Sequence, residues 1–255
     1  MMTIRTKPKR PVITTRDLKM LEFIIECKLA SRDQLNWVFF KNSKCKRVIN
    51  RRINKLMQRN LISRIGVQVD NRFLYCYEPT NFGLVYMTGK GKLSTLRSPQ
   101  RSEKPLHDLT LVDLKLKLCS LGEVTDYLTE NTLQSFDVSA IDPYLLELKA
   151  HNSDAAMRVR VNSKSFWLAI EFENTLQSFD KMEKKITKLY DSKINAIIFI
   201  CKDSSTLSSL QSIEKNYIRA TTASPKIFYQ KLDVLLSAIE SISVSNILNQ
   251  SLTIK

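Results

Sequence analysis

Ser153 to Asn174 reads SDAAMRVRVNSKSFWLAIEFEN, and the alternation in this stretch decides the architecture around it. Two runs of period two, Asp154 to Val161 and Phe166 to Glu173, flank Asn-Ser-Lys-Ser, which is the pattern of a β-hairpin. With Ser163-Lys164 as a two-residue turn, Asn162 pairs with Ser165 and the register runs outward from there. One face then carries Ala155, Met157, Val159, Val161, Phe166, Leu168, Ile170 and Phe172, all apolar. The other carries Asp154, Ala156, Arg158 and Arg160 with Trp167, Ala169, Glu171 and Glu173. In that register Asp154 falls opposite Glu173, Glu171 lies one pleat away, and small Ala156 leaves space across from Glu171.

Three carboxylates at one end of a hairpin repel one another unless a positive charge lies between them. A hard divalent cation such as Mg2+ does this, taking oxygen ligands and bridging to a substrate phosphate. Equally, the acids are ordinary charges on an exposed antiparallel edge, answered by nearby lysines. Downstream, NTLQSFDKMEKKITKLYD reads as a helix with Met182, Ile186 and Leu189 inward and Lys181, Lys184, Lys185 and Lys188 as a cationic stripe. INAIIFIC follows as a buried strand, KIFYQ as a short one and LDVLLSAIESIS as a late helix, with the last dozen residues frayed. Upstream, LHDLTLVDLKLKLCSLG is a helix closed by Gly122. This order predicts an α/β unit with a mixed central sheet over residues 106–245, followed by a tail at 246–255.

The N-terminal part is different in kind. The formal net charge is +15, and residues 1–60 contain 16 Lys and Arg against 4 Asp and Glu, leaving 24 and 21 for the rest. Most of the excess therefore lies in the first quarter, which suits a polyanionic partner. TTRDLKMLEFIIECKLA places Leu18, Leu21, Ile24 or Ile25, and Leu29 at helical spacing behind a Thr cap, and SRDQLNWVFF buries Leu35, Val38 and Phe39 behind Ser31. In SKCKRVINRRINKLMQRN, Cys45, Ile49, Ile53 and Leu56 form one side of a helix, and Lys44, Arg47, Arg51 and Lys55 the other. LISRIGVQV and FLYCYEP then read as a hairpin turning at Asp70-Asn71. Three helices and a hairpin make a winged helix-turn-helix, expected over residues 14–88 after a basic tail at 1–13 and before a linker at 89–105 rich in Gly, Pro and Ser.

Such a unit also serves protein contact, but the cationic stripe favours double-stranded DNA. Lys44, Lys46, Arg47, Arg51, Arg52, Lys55 and Arg59 are the candidates for phosphates or guanine edges, and Asn50 and Asn54 for base contacts.

The remaining features set limits. Cys27, Cys45, Cys76, Cys119 and Cys201 are odd in number and never in C-x-x-C spacing, so a disulfide framework or zinc site is not expected, and they read as small buried hydrophobes. His107 and His151 are far apart and not in H-x-H spacing, and His107 reads as a capping or packing residue. Tyr127 and Tyr190 are core-edge aromatics before they are nucleophiles. No run of about 18 apolar residues suggests a membrane span, and MMTIRTKPKRPVITT lacks the apolar centre of a signal peptide, so a cytoplasmic location is expected. The octapeptide ENTLQSFD occurs at Glu130 to Asp137 and again at Glu173 to Asp180, but the flanks do not match and no repeat architecture follows. The first copy is expected to follow a helix. At most its Glu130 lies on the first core strand and adds a fourth carboxylate.

An aspartate opening one strand, Glu-x-Glu closing the next and a Lys-rich helix after it resemble the PD-(D/E)xK restriction-endonuclease-like fold. Ser153 stands where that signature has Pro, and Glu173 where it has Lys. A winged helix ahead of such a domain, L-x-H after the linker and the Lys185 to Tyr190 helix end look like the replication-relaxation family, nearest to the MobC-type plasmid mobilisation relaxases. The resemblance spans roughly Thr14 to Cys201. It implies Asp154 and Glu171 as ligands of Mg2+ or Mn2+, the Phe172 carbonyl as a further ligand, Glu173 as ligand or water-orienting group, and Lys181 or Lys185 in place of the missing Lys.

The implied activity is metal-assisted nicking of one DNA strand at a plasmid transfer origin, beside an accessory mobilisation protein and a coupling protein. The competing expectations are a non-catalytic regulator or replication initiator with a decayed nuclease domain, and a transposase or restriction subunit of the same fold.

Overall fold

The computed structural model describes residues 12–41, 46–69, 72–89, 102, 104–135, 142–161, 163–175 and 177–255. The protein is α+β and divides into two compact units between Leu109 and Thr110.

In the first unit, α1 (Thr15–Glu26) and α2 (Arg32–Phe40) both begin with capping boxes, Thr14 with Asp17 and Ser31 with Gln34. Each side chain satisfies an orphan amide of the first turn, and each third residue answers the cap's own amide. The two-residue β1 (Ala30–Ser31), not foreseen from sequence, pairs with β3 (Arg72–Pro79), which also pairs with β2 (Ile62–Val69) in the order β1-β3-β2. The hairpin register closes at Val69 and Arg72, with Asp70 and Asn71 outside the described residues. α3 (Lys46–Gln58) buries Ile49, Ile53 and Leu56, and α4 (Asn81–Thr88) follows the hairpin.

Three inward positions differ from expectation, one of them Phe39, which is only half-buried. Val38 is exposed while Phe40 is buried, because a nine-residue helix turns its last apolar residue inward. On α1 the inward stripe includes Asp17, which is fully buried, whereas Leu18 is only half-buried. Asp17 is tolerated because Arg52 of α3 reaches it with two donors, Nε to Oδ1 at 2.6 Å and Nη2 to Oδ2 at 2.5 Å. Arg52, expected among the DNA contacts, is therefore committed to the fold: a bidentate guanidinium pair balances an acid that burial alone would disfavour.

In the second unit, β4 (Val124–Thr129), β5 (Ala155–Val161), β6 (Lys164–Glu173), β7 (Ile197–Cys201), β8 (Ile227–Lys231), β9 (Ile242–Ser245) and β10 (Ser251–Ile254) form one mixed sheet in the order β10-β9-β8-β7-β6-β5-β4. β6, β7 and β8 run parallel, and both flanks are antiparallel. α5 (Pro105–Leu118) and α10 (Leu232–Ser237) supply Leu114, Leu118 and Leu235 to one face. α6 (Glu130–Ser135), α7 (Pro143–Ala150), α8 (Phe179–Asp191) and α9 (Ser204–Thr221) cover the other, where Leu133, Leu148, Ile186 and Leu210 meet Ala169, Ile197 and Phe199. With both faces covered, β7 is apolar throughout, as parallel strands inside a sheet are.

The hairpin departs from its expected register. Val161 pairs with Lys164 and Ala155 with Ile170, so the turn is centred one residue earlier than Ser163-Lys164. Ser163 adopts a φ of 64°, the left-handed conformation that tight two-residue turns use. Moving the turn by one residue moves each partner by two, so both faces keep their composition but Asp154 comes across from Glu171 instead of Glu173.

Three further expectations are corrected. The C-terminal residues do not fray: β10 pairs with β9 from Ser251↔Ser245 to Ile254↔Ile242. The late helix ends at Ser237, where extended Ala238 leads into a β-branched strand. The first ENTLQSFD copy follows a strand: Glu130 opens α6 directly after β4, whereas Glu173 of the second copy closes β6 and α8 begins only at Phe179. Identical letters thus take different conformations because tertiary surroundings override weak local preference.

At the α8, α9 and β8 contact, Glu214 is fully buried and receives the hydroxyls of Tyr190 and, at 3.0 Å, Tyr229. Burial raises its carboxyl above the ordinary range, and the two tyrosine hydrogen bonds oppose but do not cancel this. A raised carboxyl binds its proton more tightly folded than unfolded, so its contribution to stability is present in acid and is lost as pH rises through the folded value. Thermal unfolding of Glu214→Gln, followed from mildly acidic to neutral pH, is expected to lack that part of the slope. Arg52→Ala, which strands a buried acid, is expected to cost about 3 kcal/mol in urea denaturation.

Candidate functional site

β6 ends in Glu171-Phe172-Glu173, and period two places both glutamates on the sheet face covered by α8. Glu171 and Glu173 are 3% and 4% exposed, deep burial for carboxylates on a strand paired on both sides. Lys185 resolves it. Its Nζ lies 2.9 Å from Glu171 Oε2 and 2.5 Å from Glu173 Oε1, and 5.1 Å from the centre of the Phe199 ring. α8, which starts at Phe179 after the cap position Ser178, puts Lys185 two turns in, level with the strand end and half-buried. Burial works against its ammonium, but Glu171, Glu173 and Asp154 together outweigh that and hold its pKa well above the ordinary lysine value. Lys185 is therefore charged throughout the neutral range.

Asp154 stands just before β5. Its Oδ2 accepts the Phe172 N–H at 2.7 Å, and its backbone carbonyl accepts the Glu130 N–H at 2.9 Å. Gln177 Nε2 donates to Glu173 Oε2 at 3.0 Å, and Lys202 N–H to the Glu173 carbonyl at 3.0 Å. The structure thus brings Asp154, Glu171, Glu173 and Lys185 together. Glu130 adjoins Asp154 through its backbone, at the start of α6 and not on a strand. Lys181 is exposed on the outer side of α8, so of the two candidate lysines it is Lys185 that reaches the acids. Gln177 was missed by the sequence reading.

Asp154, Glu171 and Glu173 are oxygen donors of the kind a hard divalent cation takes. Three carboxylates against one ammonium leave these four groups with an excess negative charge that such a cation would balance. In the arrangement described, Lys185 is the cation between the glutamates. Among the described residues no group of three or more His, Cys, Asp or Glu side chains is arranged to hold a metal ion.

The tyrosines lie elsewhere. Tyr190 gives its hydroxyl to Glu214, and burial together with that acid raises its pKa, the opposite of an activated nucleophile. Tyr127 pairs with Met157 and packs on the opposite sheet face. Cys201, beside Glu173 in the sheet, is pushed up to about 12 by burial and the neighbouring acids Glu173 and Asp203, and is an inert thiol. Cys27 and Cys76 are buried as expected, but Cys119 is exposed and Cys45 lies outside the described residues. His107 sits in the first turn of α5, its Nδ1 3.5 Å from Asp108.

In the first unit, Arg47, Asn50, Arg51, Asn54, Lys55 and Gln58 line one open face of α3 around a cavity of about 430 Å3. Arg47, Asn50, Arg51 and Asn54 are exposed, and Lys55 and Arg59 half-buried. Lys44 lies outside the described residues, as does the side chain of Lys46. No helix among the described residues is long and apolar enough to cross a membrane. Comparison with protein-family models, with curated proteins and with solved structures gives no match.

Lys185→Met is expected to cost about 2 kcal/mol in urea denaturation, less than for a fully sealed pair because part of the lysine meets solvent. Lys181→Met is expected to change the same midpoint negligibly.

Proposed function

We propose that the chain is a DNA endonuclease: a winged-helix unit binds duplex DNA through α3, and a PD-(D/E)xK-like unit cleaves one strand. The observation that carries this reading is Lys185, which reaches Glu171 and Glu173 beside Asp154 at a strand end and so supplies from α8 the lysine that the Glu-x-Glu signature lacks. The resemblance to MobC-type relaxases makes a plasmid transfer origin the substrate and mobilisation proteins the partners.

Asp154 and Glu171, with the Phe172 carbonyl, are the residues that would hold Mg2+ or Mn2+, whose chemistry is to acidify bound water and neutralise charge on a phosphate oxygen. The Phe172 N–H fixes the Asp154 carboxylate, so one acid is oriented before substrate arrives. Lys185, charged at working pH, donates to the non-bridging oxygens as negative charge grows on them. Glu173, held by Gln177, orients the attacking water. On α3, Arg47, Arg51 and Lys55 neutralise phosphates and Asn50 and Asn54 meet base edges.

A second reading has its own support. Lys185 already satisfies both glutamates, and an Asp154 oxygen is taken by an amide, as in a nuclease unit retained for contacts by a DNA-binding regulator.

Incubation with supercoiled origin DNA and Mg2+ or Mn2+ separates the two. Nicking by the parent, absent in Asp154→Ala and Glu171→Ala variants, is expected of the endonuclease. Intact binding with no nicking under either metal would leave the regulator. Arg51→Ala with Lys55→Ala is expected to weaken duplex binding and lower its salt slope by about one for each phosphate contact removed.

A further inference from the structure

The hairpin of the first unit has a face that duplex binding by α3 leaves unused, adjoining the Asn50 and Asn54 that such binding would use. On the hairpin, Arg64, Gly66 and Gln68 of β2 lie across from Tyr77, Tyr75 and Phe73 of β3. The other hairpin face, with Val67 and Cys76, is closed by Leu29 and Leu109. Tyr77 is buried, yet Phe73 and Tyr75 are 71% and 53% exposed. Gly66 makes this possible: a Cβ there would come within 2.5 Å of the Phe73 ring, so the ring rests where another residue would lift it away. The Arg64 guanidinium lies 4.7 Å from the centre of the Tyr75 ring. With Asn50 and Asn54 of α3, Arg64, Phe73, Tyr75 and Tyr77 border an open cavity of about 400 Å3.

Neighbouring exposed aromatic rings, a guanidinium and two side-chain amides suit a ligand with flat π faces, polar edges and negative charge. Bases inside a duplex offer their edges only, since neighbouring bases cover their faces. Unpaired nucleotides offer all three, and stacking on aromatic side chains is how single strands are commonly held. Arg64 and Arg32 border this cavity, Arg32 paired with the bordering acid, Asp33. Asn50 and Asn54 are shared with the adjoining face of α3 that carries Arg47 and Arg51, a setting that complements a phosphate chain better than an apolar protein surface.

We infer that the groove between α3 and the hairpin takes unpaired DNA bases, which stack on Phe73 and Tyr75 beside the Asn50 and Asn54 amides, with Arg64 at the phosphate. The inference rests on the reading of the first unit as DNA-binding and names its preferred substrate: a duplex interrupted by an unpaired stretch.

Fluorescence anisotropy of the full chain tests this with two oligonucleotides of one length, an uninterrupted duplex and the same duplex with an unpaired stretch carrying 2-aminopurine. The parent is expected to bind the interrupted duplex about ten-fold tighter and to quench the 2-aminopurine. Phe73→Leu with Tyr75→Leu keeps the apolar surface but removes the rings. It is expected to lose about ten-fold on the interrupted duplex, with no quenching, and less than about two-fold on the uninterrupted one. The unchanged duplex affinity also reports that the variant is folded. Equal affinity of parent and variant for the interrupted duplex, or equal losses on both, overturns the inference while DNA binding by the first unit stands. Failure of the parent to bind either oligonucleotide overturns that broader reading and the inference with it.

Discussion

Two carboxylates on a strand paired on both sides and covered by helices need a cation within reach, and the second unit is arranged around meeting that need. Glu171 and Glu173 lie too deep for water to solvate them well, and a charge buried without a partner is costly. The Lys185 ammonium answers both carboxylates, and the acids keep Lys185 charged. The demand fixes α8 axially, since only one position on it reaches both acids, and Met182, Ile186 and Leu189 then fall on the sheet. A buried ionic group of this kind gives less stability than an apolar one of equal volume. Its place at a strand end beside a third acid is what the proposed chemistry would draw on.

The first unit meets a smaller version of the same constraint. Asp17 begins as the third member of a capping box and ends as the buried partner of Arg52, so one carboxylate closes a helix and ties α1 to α3. The consequence for function is a division of labour along α3. Arg52 belongs to the interior, while Arg47 and Arg51 remain exposed.

Much of this was legible in the sequence because it is periodic. Helical spacing picked out Ile49, Ile53 and Leu56, and alternation sorted the faces of β5 and β6. What escaped depended on long-range partners. A helical wheel cannot distinguish Arg52 from Arg51 without knowing that α1 presents Asp17. The hairpin register hinged on one left-handed residue, Ser163, which a Ser in a polar turn does not announce. Lys185 was named together with Lys181, since the start of α8 at Phe179, and hence the face each lysine takes, is set by packing. The aromatic face of β3 carried a signal that was available: RFLYCYEP is apolar on both faces, and a hairpin with one face already closed leaves the other showing.

ENTLQSFD places one string of residues in two environments of a single molecule. Ser135 is buried at the end of a helix, and its counterpart Ser178 is an exposed residue preceding one. Solvent, temperature and chain are common to both copies, so their intrinsic propensities cancel. Any difference between them in amide exchange or cleavage reports only the free energy imposed by the flanking structure. The protein thus contains an internal reference for how far context, and not composition, decides conformation.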